Sequence, residues 1–470
     1  MAEPSRKFDL LLRNATVATA SDLFRCDIAV RDGRIAALGD DLGRAEEVID
    51  AAGKLVTPGG IDSHCHMDQQ AWEGQETCDD FRSGTRSAAC GGTTTVIPFA
   101  MPIRGQSLRA VVDDYHARAK GKTLIDYAFH LVVSDPTPQV LGQELPALIR
   151  DGCTSFKIYL TYEGLALNDY EVMEVLDLAL RERAMVMVHA ENDGVVRWLT
   201  DRLLQSGRTE VKYHLAAHPA AGDREATHRA ITFSELTGVP ILITHVSHNA
   251  AAEQIRWAQG RGLKIYGETC PQYLFLAAED IEAHGMEGAK CICTPPPREK
   301  ANQALMWQGL QNGTFQVFSS DHSAHRYTEK IKGGPKAPFT SVALGVPGIE
   351  LRMPLLMSEG VGKGRIDIHQ FVALTATNAA RIYGLAPRKG SIAVGGDADL
   401  VLWDREREWT VSHDLLHDNC DYTPYEGMKL TGFPILTLSR GEIVWQDGEV
   451  KGEAGRGRYL ACDLPEAPRL

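Results

Sequence analysis

Four histidines and one aspartate close apolar, strand-like runs of this chain: His64 and His66 in PGGIDSHCH, His189 in VMVHA, His245 in ILITHVSH and Asp321 in FQVFSSDH. On a strand, residues i and i+2 face the same way. His64 and His66 can therefore reach one point beyond their strand's end, a geometry that suits a metal ion. Two histidines one residue apart can equally be a solvated strand end, but metal-competent side chains recur at the later run ends. A tetrahedral catalytic zinc usually takes three protein ligands and keeps an open position, so these five candidates point to two metals. Two metals need a bridge. Lys157, in TSFKIYL, is a costly charge in an apolar strand. As an amine it can reach solvent or pair with a carboxylate, but it cannot bridge two cations. Addition of carbon dioxide would turn it into a carboxylate with two donor oxygens.

The elements that must position these groups are short. From about residue 56 to 317 eight apolar runs follow one another: LVTPGGIDSH, TTTVIPFA, DYAFHLVV, TSFKIYL, AMVMVHA, PILITHV, LKIYGETC and FQVFSSD. Helix-patterned stretches such as SLRAVVDDYHARAK and YEVMEVLDLALRERA separate them, several opening on a capping residue. Strands buried on both faces read as continuous apolar runs, the mark of a parallel sheet. Eight such units predict an α/β fold with a (β/α)8 TIM-like barrel, whose site lies at the C-terminal ends of the strands. His64, His66, His189, His245 and Asp321 obey that rule. His116, His228 and His369 fall in helical patterns and read as surface or capping residues.

Both ends of the chain carry β patterns too thin to stand alone. Residues 8–56 alternate apolar runs with turns, Asp32-Gly33 among them, and GSIAVGGDADLVLWD and FPILTLSRGEIVWQDGEV follow the barrel, with turns at Gly395-Gly396 and Asp447-Gly448. The expected organisation is a small β-sandwich domain built from both termini, residues 1–56 and 389–455. It would flank a catalytic barrel over 57–388, with a tail at 456–470 that shows no packing pattern of its own.

Composition excludes several functions. The formal net charge of −13, with no local Lys/Arg cluster, argues against nucleic acid. The opening MAEPSRKFDLLL lacks the apolar core of a secretory leader and no run approaches membrane-spanning length, so a cytoplasmic protein without membrane contact is expected. Ten cysteines lie scattered without a CxxC unit, which favours reduced, buried thiols over a disulfide framework.

In combination, GxDxHxH at Gly60 to His66, the FKxYxxY run from Phe156 to Tyr162, VMVHAEN, THVSH, GETCPQYL and SSDH resemble the cyclic amidohydrolases, specifically the dihydropyrimidinase and hydantoinase family. The resemblance covers nearly the whole chain. It implies two divalent metals, usually Zn2+, bridged by carbamylated Lys157 and a hydroxide, with His64, His66 and Asp321 on one and His189 and His245 on the other. It further implies opening of a cyclic ureide or imide to an N-carbamoyl amino acid, Asp321 moving the proton and Tyr162 donating to the oxyanion. Thr294 in CTPPPR is the implied amide-recognition residue. Leu344 stands where the family often has Asn before Gly-Val-Pro, and the segment MDQQAWEGQE after His66 also departs from pattern, placing Trp72 where it would gate the ring substituent. Dihydropyrimidines or 5-substituted hydantoins are the expected substrates, allantoin or a cyclic imide the alternative. A non-catalytic scaffold relative would have lost ligands that this chain keeps. A homotetramer is implied by the family alone.

Overall fold

The computed structural model describes residues 7–69 and 76–466. Strands with one wet face come first: β1 (Phe8–Ala18), β2 (Leu23–Arg31), β3 (Arg34–Gly39) and β4 (Ala45–Asp50), then the buried β5 (Leu55–Pro58). Asp32 and Gly33 join β2 to β3 at φ of 53° and 76°. A two-residue turn between right-twisted strands needs that left-handed pair.

The barrel strands are buried along their length: β6 (Gly60–Cys65), β7 (Thr93–Ala100), β8 (Asp126–Tyr127), β9 (His130–Val132), β10 (Ser155–Tyr159), β11 (Met185–His189), β12 (Ile241–Ile243), β13 (Ile265–Thr269) and β14 (Val317–Phe318). They pair in parallel in the order β14-β13-β12-β11-β10-β9-β7-β6, with β8 beside β7. The ends meet where Asp321 N–H donates to His64 O (2.8 Å) and His66 N–H to His322 O (2.7 Å), which closes the barrel. Period two sorts the side chains. Met185 and Met187 fill the interior, while Val186 and Val188 lie in the layer under the helices. By the same alternation Lys157, between the outward Phe156 and Ile158, points into the barrel. Helices cover the outside; that at Asp169–Glu182 opens with a reciprocal box between Asn168 and Glu171.

One expected strand is divided. LVTPGGIDSH, which reads as a single barrel run, supplies β5 to the terminal sheet and β6 to the barrel. Gly59 is the pivot, where a Cβ would stand 2.1 Å from Thr94 Oγ1, so no side chain fits where the chain changes sheets.

After the barrel come β15 (Leu400–Thr410), β16 (Lys429–Ser439), β17 (Glu442–Gln446) and β18 (Glu449–Val450). The terminal sheet runs β18-β17-β16-β15-β5-β1-β2-β3, with β4 on β1. Register shifts at Leu12/Ala15 and Leu402/Trp403 bend it. The β2–β3 hairpin then bonds to the segment before β15, through Ile35 N–H to Gly396 O and Ala398 N–H to Gly33 O, both 2.9 Å. The sheet thus curls into a sandwich around Leu10, Leu12, Ile28, Val56, Leu400 and Leu438. Buried Lys389 joins this sandwich to the barrel, its Nζ 2.7 Å from both Asp126 and Asp399 and 3.0 Å from Asp397.

The described part of the tail packs, although its sequence carries no packing pattern of its own. Tyr127 N–H donates to Arg458 O (3.0 Å), Leu460 N–H to Tyr127 O (2.7 Å) and Cys462 N–H to Gly152 O (3.0 Å). Leu460 and Cys462 plug the floor of the barrel interior. Two apolar residues are too short a pattern to announce a strand. All ten cysteines are unpaired and nine are buried, as the scattered spacing implies. Among the described residues no helix is long and apolar enough to cross a membrane.

Candidate metal centre and active site

The strand ends bring the expected ligands together. His64 Nε2 lies 3.1 Å from Asp321 Oδ1, and His66 Nε2 lies 3.5 Å from the same oxygen. The ring of His245 is 5.3 Å from that of His64 and 4.5 Å from that of His189. Lys157 Nζ stands 3.0 Å from His64 Nε2, 4.6 Å above the Phe99 ring and 4.8 Å above that of Tyr159. Tyr162, His245 and Asp321 hold φ values of 79°, 35° and 49°. Side chains adopt that left-handed region at a cost, and a closed barrel can enforce it where function needs it.

Burial sets the charge states. It holds His64 and His245 well below the ordinary imidazole range, with Lys157 and His189 adding to the respective shifts. His189 is lowered too, burial outweighing the pull of Glu191. Neutral imidazole is the form that ligates metal. Burial also pushes the Lys157 ammonium down to about 8, against the attraction of Asp321 and Glu268. For Asp321 burial works upward, but His64 and His66 outweigh it and keep the carboxyl below its usual range.

Two carboxylates escaped the sequence reading although they sit inside the quoted motifs. Glu268, fully buried on β13, touches His64 Nδ1 (2.6 Å) and accepts from His245 N–H (3.0 Å). Glu191 bridges His189 Nε2 (2.7 Å) and His218 Nδ1 (2.8 Å). Gln69 holds His66 Nδ1 (2.6 Å). For Glu268 the available signal was the one that singled out Lys157, a charge in an apolar strand, while Glu191 lies just past the end of β11. With those nitrogens engaged, the opposite nitrogen of each of these rings is left for another partner. His245 Nδ1 is buried with no hydrogen bond among the described residues. An unpartnered buried imidazole nitrogen is costly unless it ligates something, and His64, His66 and Asp321 present donor atoms within 4.8 Å of one another. The donor set fits divalent metal.

Above this floor opens a cavity of about 590 Å³. Tyr162, Thr294 and Leu344 line its walls, with Met101 and Leu165 supplying apolar surface. The Tyr162 hydroxyl engages Thr294, whose Oγ1 lies 3.3 Å from His214 Nε2. Burial holds that phenol protonated, well above its ordinary range, with Glu191 adding to the shift. Trp72 lies outside the described residues.

The model of the amidohydrolase family matches residues 55–444. The chain belongs to the amidohydrolase family. Within that family it is 43% identical to a D-hydantoinase of Geobacillus stearothermophilus over 453 residues, covering 96% of each chain. A D-hydantoinase of Ralstonia pickettii is 40% identical, covering 96% of this chain and 98% of the relative. The crystal structure of a dihydropyrimidinase from Brevibacillus agri superposes with a TM-score of 0.94 at 41% identity, over 97% of this chain and 99% of that one. These place the chain in the hydantoinase and dihydropyrimidinase branch of the amidohydrolases, a family of metal-dependent hydrolases.

Proposed function

We propose that this amidohydrolase opens the ring amide of 5-substituted hydantoins, and of dihydropyrimidines as a second substrate class, to give N-carbamoyl amino acids. Hydrolysis of cyclic amides follows from the family; the substrate assignment rests on its relatives being hydantoinases and a dihydropyrimidinase. The D prefix carried by the Geobacillus and Ralstonia hydantoinases favours the D enantiomer here. The observation that carries the reading is the convergence of His64, His66, Asp321 and Lys157 on one point of the cavity floor.

In this reading His64, His66 and Asp321 would hold one divalent ion and His189 and His245 a second, with Lys157 placed to serve both. Its neutral amine adds to carbon dioxide, forming an N–C bond and releasing one proton, and becomes a carbamate with two donor oxygens. Partial neutrality near pH 7 and the burial of Lys157 support that step. When bound, zinc ions supply Lewis acidity toward a ring carbonyl and acidify water. Asp321 orients the attacking water, takes its proton and delivers it to the leaving ring nitrogen. Tyr162, held protonated by burial, donates to the oxygen that gains charge as the amide carbon becomes tetrahedral. Thr294 and the backbone around Leu344 face the ring amides from the cavity walls. Trp72 is assigned to the ring substituent.

The proposed assembly is a cytoplasmic homotetramer with a catalytic barrel over 57–388. The unpaired cysteines support a reducing compartment, and light scattering tests the tetramer. The function is tested by comparing the zinc-loaded protein on dihydrouracil and on an aryl-substituted hydantoin, following the N-carbamoyl product. Faster aryl-hydantoin opening is expected, since Met101 and Leu165 give the walls apolar area. Failure to open either ring would sink the proposal.

A further inference from the structure

Lys330, in the Gly/Pro/Lys-rich stretch KIKGGPKAPF, is fully buried. Its Nζ donates to three backbone carbonyls, Ile292 O (2.9 Å), Ala343 O (2.7 Å) and Gly345 O (2.5 Å). An ammonium has three N–H donors, and here each meets one carbonyl. Among the described residues no carboxylate pairs with it. The two segments it ties are the walls of the cavity: Cys293 and Thr294 follow Ile292, and Leu344 lies between Ala343 and Gly345. Among the described residues one further bond joins them directly, Gly345 N–H to Ile292 O at 3.2 Å.

We infer that Lys330 is the positioning residue of the substrate-amide pocket, its ammonium fixing the Ile292–Thr294 and Ala343–Gly345 walls at the spacing that lets both face one planar ring. This rests on the function proposed above. Interactions made equally with ground state and transition state appear in KM and leave kcat alone, and Lys330 reaches no group assigned to the chemistry. Its surroundings make the clamp sensitive to alkali. The thiols of Cys291, Cys293 and Cys420 and the imidazoles of His214 and His325 face it, and burial pushes the ammonium down to about 8. Once discharged, the amine offers two N–H donors to three carbonyls and turns a lone pair toward them.

The test uses the zinc-loaded full chain with dihydrouracil, and measures metal content alongside rates. Wild-type turnover establishes the functional reading first; its absence would refute that reading, and this inference with it. With wild type active, Lys330→Met should raise KM roughly tenfold while kcat stays within about threefold and metal content is unchanged. Lys330→Arg, which keeps the charge, should recover most of the loss. Amide exchange at Gly345 should quicken in the Met variant. An unchanged KM in a folded Lys330→Met protein, or a fall in kcat that tracks lost metal, overturns the inference. If the Met variant does not fold, wild type decides: KM should climb from pH 7 to 9 at constant metal content, and a flat KM overturns the inference.

Discussion

Glu268 and Lys157 carry the argument at the scale of single residues, since each is an ionisable group in an apolar strand that only a neighbour's chemistry explains. Lys157→Ala removes the proposed bridge, and both metals and turnover should be lost. Metal analysis beside a rate assay checks this, and a Lys157→Ala protein with normal activity would refute the carbamate. Glu268→Gln keeps the shape but weakens the hold on His64 and His245. Partners of metal-ligating histidines are typically worth 10–100-fold in metal affinity, so retention against a competing chelator should drop by about that factor. The candidate ligands were legible because a polar group closing an apolar run is conspicuous. Glu268 was not, because what it holds lies on another strand, His64 being 204 positions away, and Glu191 was not, because its second partner, His218, lies 27 positions away beyond a helix. Lys330 was hidden more thoroughly, at the end of a short helix that opens a stretch rich in Gly, Pro and Lys.

At the scale of elements, eight apolar runs were enough to announce the barrel, yet their borders misled. LVTPGGIDSH is apolar on both sides of Gly59, and a change of hydrogen-bonding partner leaves no mark on hydropathy. The tail carries no packing pattern for the opposite reason, its contacts being mostly backbone. Leu460 fills the barrel floor at 4% exposure, on the face opposite the metal site. Leu460→Ala should therefore cost about 2–4 kcal/mol of stability, read as a lower urea midpoint, with catalytic constants close to wild type.

For the whole molecule the decisive joints lie between barrel and sandwich. Glu350 takes Ser87 Oγ–H (3.0 Å), His417 N–H (2.9 Å) and the His417 ring (2.9 Å), and that ring packs edge-on against Trp445. The hydrogen bond to Glu350 raises His417 above the ordinary imidazole range, burial opposing. A group raised on folding contributes stability that is fully present below its unfolded value, about 6.5, and is lost as pH rises through the folded value. Melting temperature should fall as pH climbs through the upper neutral range, and His417→Gln should flatten that slope. An identical slope in the variant would refute the assignment.

The pairing of β5 with β15 also sets a timetable for biosynthesis. Between Pro58 and Leu400 the ribosome must add about 340 residues, which at roughly 5–20 residues per second takes about 20 to 70 s. Throughout that interval β5 keeps one unpaired edge, tethered through Gly59 to the strand that carries His64 and His66. An edge of that kind invites association with other chains. The last barrel strand ends at Phe318, so over roughly the final 80 residues, about 4 to 16 s, the barrel can form before the strand that secures its entrance exists. Yield in a cell should respond to holdase chaperones and to translation speed more than the stability of the finished fold would suggest.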